Sequence, residues 1–280
     1  MPVFFRSVGT VGGPSLFVER GGRGLRGVRM SVTVAVVERP DGLCLIDTGW
    51  SRAQCAFPDD DPGLARRVAL GMQVRPEDAI ASQLISCGYD PADVKHVVAT
   101  HLHMDHMDGA RDLPGAEKHV ARAEWSALER GARGYSPALT TVPRVTQHAI
   151  EGPAALGFPR SEDLFGDGSV LLLDARGHTA GSVAVAVALD EGWLLHAGDA
   201  AMFTRDYRED AGLPPSLYMR FLSWDLPAQR RTYGYLREAE ADHGARVVTS
   251  HDLAQYESLP HAKEEAWALR GDKRKGRKKS

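Results

Sequence analysis

The chain has 280 residues, 43% of them hydrophobic and 25% charged, which is enough apolar material for a sizeable core and excludes a disordered protein. Its 34 basic and 37 acidic side chains leave a net charge of −3. No run approaches the ~18 apolar residues of a membrane span. The start, MPVFFRSVGT, lacks the basic and long apolar regions of a secretory signal. Cys44, Cys55 and Cys87 are too few and too scattered for a disulfide framework or a cysteine zinc site, so a reduced, cytoplasmic protein is expected. The last eight residues hold six basic side chains and no acidic one, leaving 28 basic against 37 acidic over residues 1–272. An acidic body argues against a nucleic-acid enzyme. A small-molecule substrate is expected, with neither a nucleic acid nor a membrane as partner. One domain is expected over 1–271, followed by a solvated basic tail at 272–280.

In chain order, Ser31–Val37 is a β-branched run. The turn signal at 39–42 follows it, and Leu43–Ile46 reads as the returning strand of a hairpin ending at Asp47-Thr48-Gly49. Residues 50–75, with Pro58, three successive aspartates, Pro62 and Gly63, read as a long excursion or lid. This excursion and the N-terminal arm offer surfaces for a homodimer. Glu77–Ser86 has helical spacing and stops before Gly88. Val94–Thr100 is a short buried-type strand that runs straight into His101-Leu102-His103-Met104-Asp105-His106. Ala121–Arg130 reads as a helix. Ser169–Leu173, Ser182–Leu189, Trp193–Ala197 and Arg246–Ser250 read as strands. Pro227–Glu240 reads as a helix with Asp225 as its N-cap, and Ala262–Leu269 as a last helix.

Several strands end in a polar loop that opens on His or Asp, which is how a sheet presents a site at one edge. In HxHxDH, four ligand-type side chains fall within six residues. In an extended segment His101 and His103 point the same way and can share one metal, while Asp105 and His106 reach a second. Imidazole and carboxylate suit zinc, iron or manganese. His178 in GHTAGS, Asp199 in HAGDA and His251 in TSHD stand at later loop starts. Asp47 reads either as a carboxylate that orients a ligand or as a turn former. His96 and His196 read as strand histidines, and His119, His148, His243 and His261 as surface residues.

Taken together and in order, THLHMDH, GHTAGS, GDA and SHD, with the earlier Asp47-Thr48-Gly49, resemble the metallo-β-lactamase-fold hydrolases over roughly residues 30–255. The resemblance implies an α/β (α+β) four-layer αββα sandwich with a dinuclear site at one edge. Carried over residue by residue, His101, His103 and His178 hold the first divalent metal. Asp105, His106 and His251 hold the second, and Asp199 bridges them. Two such ions, zinc first and iron, manganese or cobalt as alternatives, would share a bridging hydroxide that attacks an ester-type bond. Asp199 would hold the pair together, and Asp105 is a candidate for proton transfer.

Within the family the chain is most similar to the quorum-quenching N-acyl homoserine lactonases, which implies lactone opening. It departs from them just after the bridging Asp. Where those enzymes carry a tyrosine this chain has Met202 and Phe203, with Tyr207 next along. These three are the candidate substrate contacts, and the apolar stretch from Met202 to Trp224 is a candidate wall for a lipophilic substrate. Thioester hydrolysis of the glyoxalase II type and phosphoester or organophosphate hydrolysis are the alternatives. Outside hydrolysis stand a mononuclear iron sulfur-oxygenase and a regulatory metal-binding module. His251 argues against the mononuclear case.

Overall fold

The computed structural model of the chain describes residues 2–56, 71–209, 215–263 and 265–268. The central part of the expected excursion and the basic tail lie outside the described residues. The described residues form two sheets. The larger contains β1 (Pro2–Pro14), β2 (Gly27–Arg39), β3 (Gly42–Ile46), β4 (Val94–Val98), β5 (Glu117–Ala121), β6 (Val145–His148) and β12 (Trp267–Ala268), in the order β12-β1-β2-β3-β4-β5-β6. The smaller runs β11-β10-β9-β8-β7, built from β7 (Ser161–Asp163), β8 (Val170–Asp174), β9 (Val183–Ala188), β10 (Trp193–His196) and β11 (Ala245–Val248). The helices are α1 (Ser15–Val18), α2 (Arg52–Cys55), α3 (Ile80–Ser86), α4 (Met104–Met107), α5 (Arg122–Glu129), α6 (Thr204–Arg208), α7 (Leu217–Leu222), α8 (Leu226–His243) and α9 (Leu253–Tyr256).

Side-chain alternation along the strands makes the layers. On β2, Ala35 and Val37 enter the core between the sheets, with Val183, Val185 and Val187 of β9. Val32, Val34 and Val36 turn to the other face, in one cluster with Leu84 of α3 and Leu128 of α5. On β9 the outward residues are Ala184 and Ala186, which share a cluster with Leu236 and Ala239 of α8. Small residues there let the helix lie close to the sheet. Asp225 caps α8 as expected, accepting from Ala228 N at 2.9 Å, and Gly244 ends it at φ +63°.

Strand direction positions the site. β3, β4 and β5 run parallel, as do β10 and β11. β8 and β10 both pair antiparallel with β9 and so share a direction. The C-terminal ends of β3, β4, β8, β10 and β11 therefore deliver Asp47, His101, His178, Asp199 and His251 in turn.

Two expectations need correction. The segment expected as a helix over 262–269 contains strand β12, with Val3 opposite Trp267 and the Trp267 ring 5.5 Å from Phe5. His119 and His148 are buried rather than at the surface. They form the middle of a histidine ladder. His96 Nε2 lies 3.1 Å from Asp41 Oδ2 and His96 Nδ1 3.0 Å from His119 Nε2. His119 Nδ1 is 3.1 Å from His148 Nε2, and His148 Nδ1 is 2.6 Å from Glu162 Oε1 on β7. The ladder thus ties the larger sheet to the smaller.

Burial and its two imidazole neighbours push His119 down to about 4. The unfolded chain takes up that proton near pH 6.5 while the folded ladder resists it, so stability is lost as pH falls from about 6.5 towards 4. The urea midpoint is expected to drop on acidification through this window, and to drop less steeply in His119→Gln. Parallel pH profiles for the two proteins would contradict this.

Candidate metal centre

The sequence brings each ligand-type residue to the rim on a short, rigid lead. His101 follows β4 after Ala99 and Thr100. His103 stands just before the first turn of α4, which carries Asp105 and His106. Gly198, before Asp199, has φ +53°, and a Cβ there would lie 2.6 Å from Thr100 Cβ, so only glycine fits between the two sheets at that point.

The seven residues meet in two groups. His101 Nε2 lies 3.1 Å from His103 Nδ1, and His178 Nε2 lies 3.0 Å from the same atom. Beside them, His106 Nε2 and His251 Nε2 lie 3.8 and 3.7 Å from Asp105 Oδ2. Asp199 stands between the groups. Its Oδ2 is 3.5 Å from His178 Nε2 and 4.0 Å from His101 Nε2, while its Oδ1 is 3.3 Å from His106 Nε2 and 3.2 Å from His251 Nε2. All are buried except Asp105, whose side chain is 16% exposed and forms the open side. Ligand atoms around a tetrahedral zinc sit about 3.3 Å apart, since zinc–nitrogen bonds are about 2.0–2.1 Å. The observed spacings bracket that value.

Proton placement argues for cations here. His251 Nδ1 is 2.7 Å from the Ser31 carbonyl, which can only accept, so Nδ1 carries the proton and Nε2 a lone pair. His106 Nδ1 donates to Asp47 Oδ2 at 2.8 Å and likewise turns a bare Nε2 inward. Thr100 Oγ1 gives its proton to Asp47 Oδ2 at 2.8 Å, so His101 Nδ1, 3.1 Å away, donates to Thr100 and leaves its Nε2 bare. Lone pairs therefore face one another across a buried pocket. His106 Nε2 and Asp199 Oδ1 have no hydrogen-bond partner among the described residues. Such groups are costly to bury unless paired, and a metal ion is the partner this donor set fits. His178 Nδ1, on the ring's other side, also has no partner among the described residues.

Burial holds His101, His103 and His178 below the ordinary imidazole value, His178 at about 3. Burial acts the same way on His106 and His251, but Asp199 and Asp105 outweigh it and raise both. Burial would raise Asp199, yet the facing His251 and His106 hold it well below the carboxylate range. The second group thus has a charge demand that a cation meets.

Two carboxylates brace the site from behind. Asp47, at φ +62°, is both a turn former and a positioning group. Its Oδ1 accepts from Thr100 N at 2.8 Å, while its Oδ2 serves Thr100 and His106. Glu124 of α5 has no counterpart in the sequence reading. Fully buried, it accepts from Leu102 N at 3.0 Å, between the two histidines of HxH. It also accepts from the Tyr135 hydroxyl at 2.5 Å, Thr179 Oγ1 at 2.8 Å and Gly181 N at 3.0 Å, beside His178. One carboxylate thereby joins the loops that deliver His101, His103 and His178.

The residues expected to contact substrate lie elsewhere. Met202 and Phe203 are buried in the core behind the larger sheet. Tyr207 packs against the outer face of the smaller sheet, and its hydroxyl donates to Glu240 at 2.6 Å. The cavity beside the ligand groups, about 580 Å³, is bounded by His103, Asp105 and Tyr218 at its base and by Phe17, Met30 and Phe221 among its walls. Tyr218, Phe221 and Leu222, from the apolar stretch expected as a wall for a lipophilic substrate, line this space.

Comparison with known proteins identifies the family. The profile of the Metallo-beta-lactamase superfamily matches residues 27–251. The chain belongs to this superfamily. It is 33% identical, over 80% of its length and 71% of the relative's, to a probable metallo-hydrolase of Mycobacterium tuberculosis. It is 27% identical to an N-acyl homoserine lactonase AttM of Rhizobium johnstonii, over 82% of this chain and 84% of that one. In fold it is similar to an N-acyl homoserine lactone hydrolase solved with N-hexanoyl-L-homoserine at its metal centre (TM-score 0.74, 20% identity, 93% of this chain and 96% of the other). It is also similar to AidC, a dizinc quorum-quenching lactonase (TM-score 0.63, 18% identity, 95% and 92%). The superfamily's two-sheet α/β fold is the one described above, and the chain is a metal-dependent hydrolase.

Replacing Asp47 with Asn removes an acceptor that fixes two of the imidazoles. Metal affinity measured by chelator competition is expected to fall about 10- to 100-fold while the circular dichroism spectrum is unchanged. An unaltered affinity would contradict the positioning role.

Proposed function

We propose that this protein opens the ester bond of lipophilic lactones at a dinuclear centre. His101, His103 and His178 would hold one cation and Asp105, His106 and His251 the other, with Asp199 between them serving both. The observation that carries this is the division of the Asp199 oxygens between two imidazole groups, with an apolar cavity ending on His103 and Asp105. The lactonase relatives are consistent with it. A pair of divalent cations bound here would supply Lewis acidity and lower the pKa of a water to near neutrality.

The chain's own residues do the rest. The cavity walls take an acyl group and exclude water from around the bond under attack. Tyr218 stands at the cavity base. Burial, together with the carboxylates of Asp105 and Asp199, raises its phenol well above the ordinary tyrosine value, so it remains a proton donor throughout the neutral range. Among the described residues its hydroxyl has no hydrogen-bond partner, which leaves it for a substrate oxygen. It is the residue we assign to the place left by Met202 and Phe203. Asp105, the most exposed of the acidic ligand groups, faces the side from which substrate enters and is the candidate to pass a proton to the leaving oxygen.

The test is a panel on metal-loaded protein: acyl homoserine lactones of several lengths, simple γ- and δ-lactones, an aryl ester, lactoylglutathione and an aryl phosphotriester. The expected result is kcat/KM highest for the lactones and rising with acyl length. A preference for the thioester or the phosphotriester would overturn the substrate reading and leave the metal centre standing. Tyr218→Phe is expected to lower lactone kcat/KM about tenfold without changing metal content, the effect of one hydrogen bond to a developing charge. Full activity in that variant would remove Tyr218 from the account.

A further inference from the structure

Apart from Ile85, every large hydrophobic exposed among the described residues lies on α1, the loop after it, or α7 and the residue following its cap. Leu16 and Phe17 of α1 are 40% and 47% exposed, Leu25 in the following loop 78%, and Phe221 of α7 68%. Leu217 and Phe221 stand one helical turn apart on α7, and Trp224, just past the helix end, is also exposed. These segments are distant in sequence and adjacent in space. α1 packs against α7, and Leu16 N bonds to Gly24 O while Ser15 N bonds to Arg26 O, which folds the Leu25 loop back against α1. Phe17 and Phe221 also wall the cavity that ends on His103, so the patch is the outer lip of that cavity.

The charge of this lip differs in sign from the rest of the protein. Between Ser15 and Met30 the chain carries Arg20, Arg23, Arg26 and Arg29 against a single acid, Glu19, in a protein of net charge −3. Arg23 and Arg26 are exposed on this lip, whereas Arg20 and Arg29 face other clefts. Glu19 is buried and neutralised by Arg26 and Arg205, each at 2.7 Å. On the opposite side Arg133 lies 4.3 Å over the Phe221 ring, and Arg220 is exposed beside it. Exposed Leu and Phe side chains bordered by arginines match the chemistry of an anionic bilayer surface, where apolar groups enter the acyl boundary and guanidinium groups meet the headgroups. A second copy of this chain is the poorer occupant, because a two-fold contact would bring two net-basic lips together.

We propose that this lip docks on anionic lipid bilayers with the cavity mouth facing the membrane. The attachment is peripheral, since among the described residues no helix is long and apolar enough to cross a membrane. On the lactone reading above, docking lets a lipophilic substrate pass from the bilayer into the cavity without crossing water. Binding to lipid itself does not depend on that reading.

The experiment is sedimentation of the full-length, metal-loaded protein with two kinds of vesicle: phosphatidylcholine alone, and equal parts phosphatidylcholine and phosphatidylglycerol. Binding is expected only to the anionic vesicles, to weaken with added salt, and to fall about tenfold or more in the double variant Arg23→Gln/Leu25→Ser. Neither residue lines the cavity, so turnover of a water-soluble short-chain substrate is expected to be unchanged in the double variant. No binding to anionic vesicles, equal binding to both kinds, or undiminished binding by the variant would overturn the proposal. So would light scattering that shows a wild-type dimer converted by the variant to a monomer, which would make the lip a protein interface. Loss of turnover on the soluble substrate would also count against it, because the lip would then act through the site rather than through lipid.

Discussion

Five imidazoles and two carboxylates are packed at one sheet edge with their free lone pairs turned toward each other, and this is the constraint on which the rest of the structure depends. Buried polar atoms ordinarily find a hydrogen-bond partner. Here the second nitrogens of His101, His106 and His251 hold hydrogens toward groups behind them, so each ring in its neutral form presents a lone pair inward. A cation at the centre is the partner this donor set fits, and Asp199 suits it because its two oxygens face different imidazole groups.

Much of the fold serves to hold those lone pairs in place. Parallel strands in each sheet bring the loops to one rim. The Asp47 turn and the buried Glu124 then fix the loops at both ends, Asp47 through Thr100 and His106, Glu124 through Leu102, Thr179 and Gly181. The apolar cavity adjoins this rim at Asp105. Rigidity behind the site and apolar access in front of it are the arrangement expected of a hydrolase that positions one bond and excludes bulk water from it.

The ligand groups were legible because they sit at fixed points in short motifs after apolar strands, β2, β3, β8, β9 and β10 because β-branched or apolar residues dominate them, and β4 because its valines run into the HxHxDH motif. What escaped did so for identifiable reasons. β1 is punctuated by Gly9, Gly12 and Gly13 and reads as an irregular arm. β5 carries Glu117, Lys118 and His119, yet it lies inside the sheet. Its Lys118 is buried because the ammonium donates to the carbonyls of Leu113 and Ala116 at 2.7 and 2.8 Å. Pairing with β1 decides β12, and local helical spacing over 262–269 carries no trace of that partner. Glu124 reads as an ordinary helix-surface acid, since its four donors come from three other segments. Tyr218 reads as one more apolar residue in an apolar stretch, because only the fold turns it toward the cavity.

Metal stoichiometry by native mass spectrometry on the metal-replete full chain tests the central claim most directly. The account predicts two divalent ions per chain, bound together, with Asp199→Ala disrupting both positions. A single ion that survives the loss of Asp199, or a protein that folds stably with none, would contradict it.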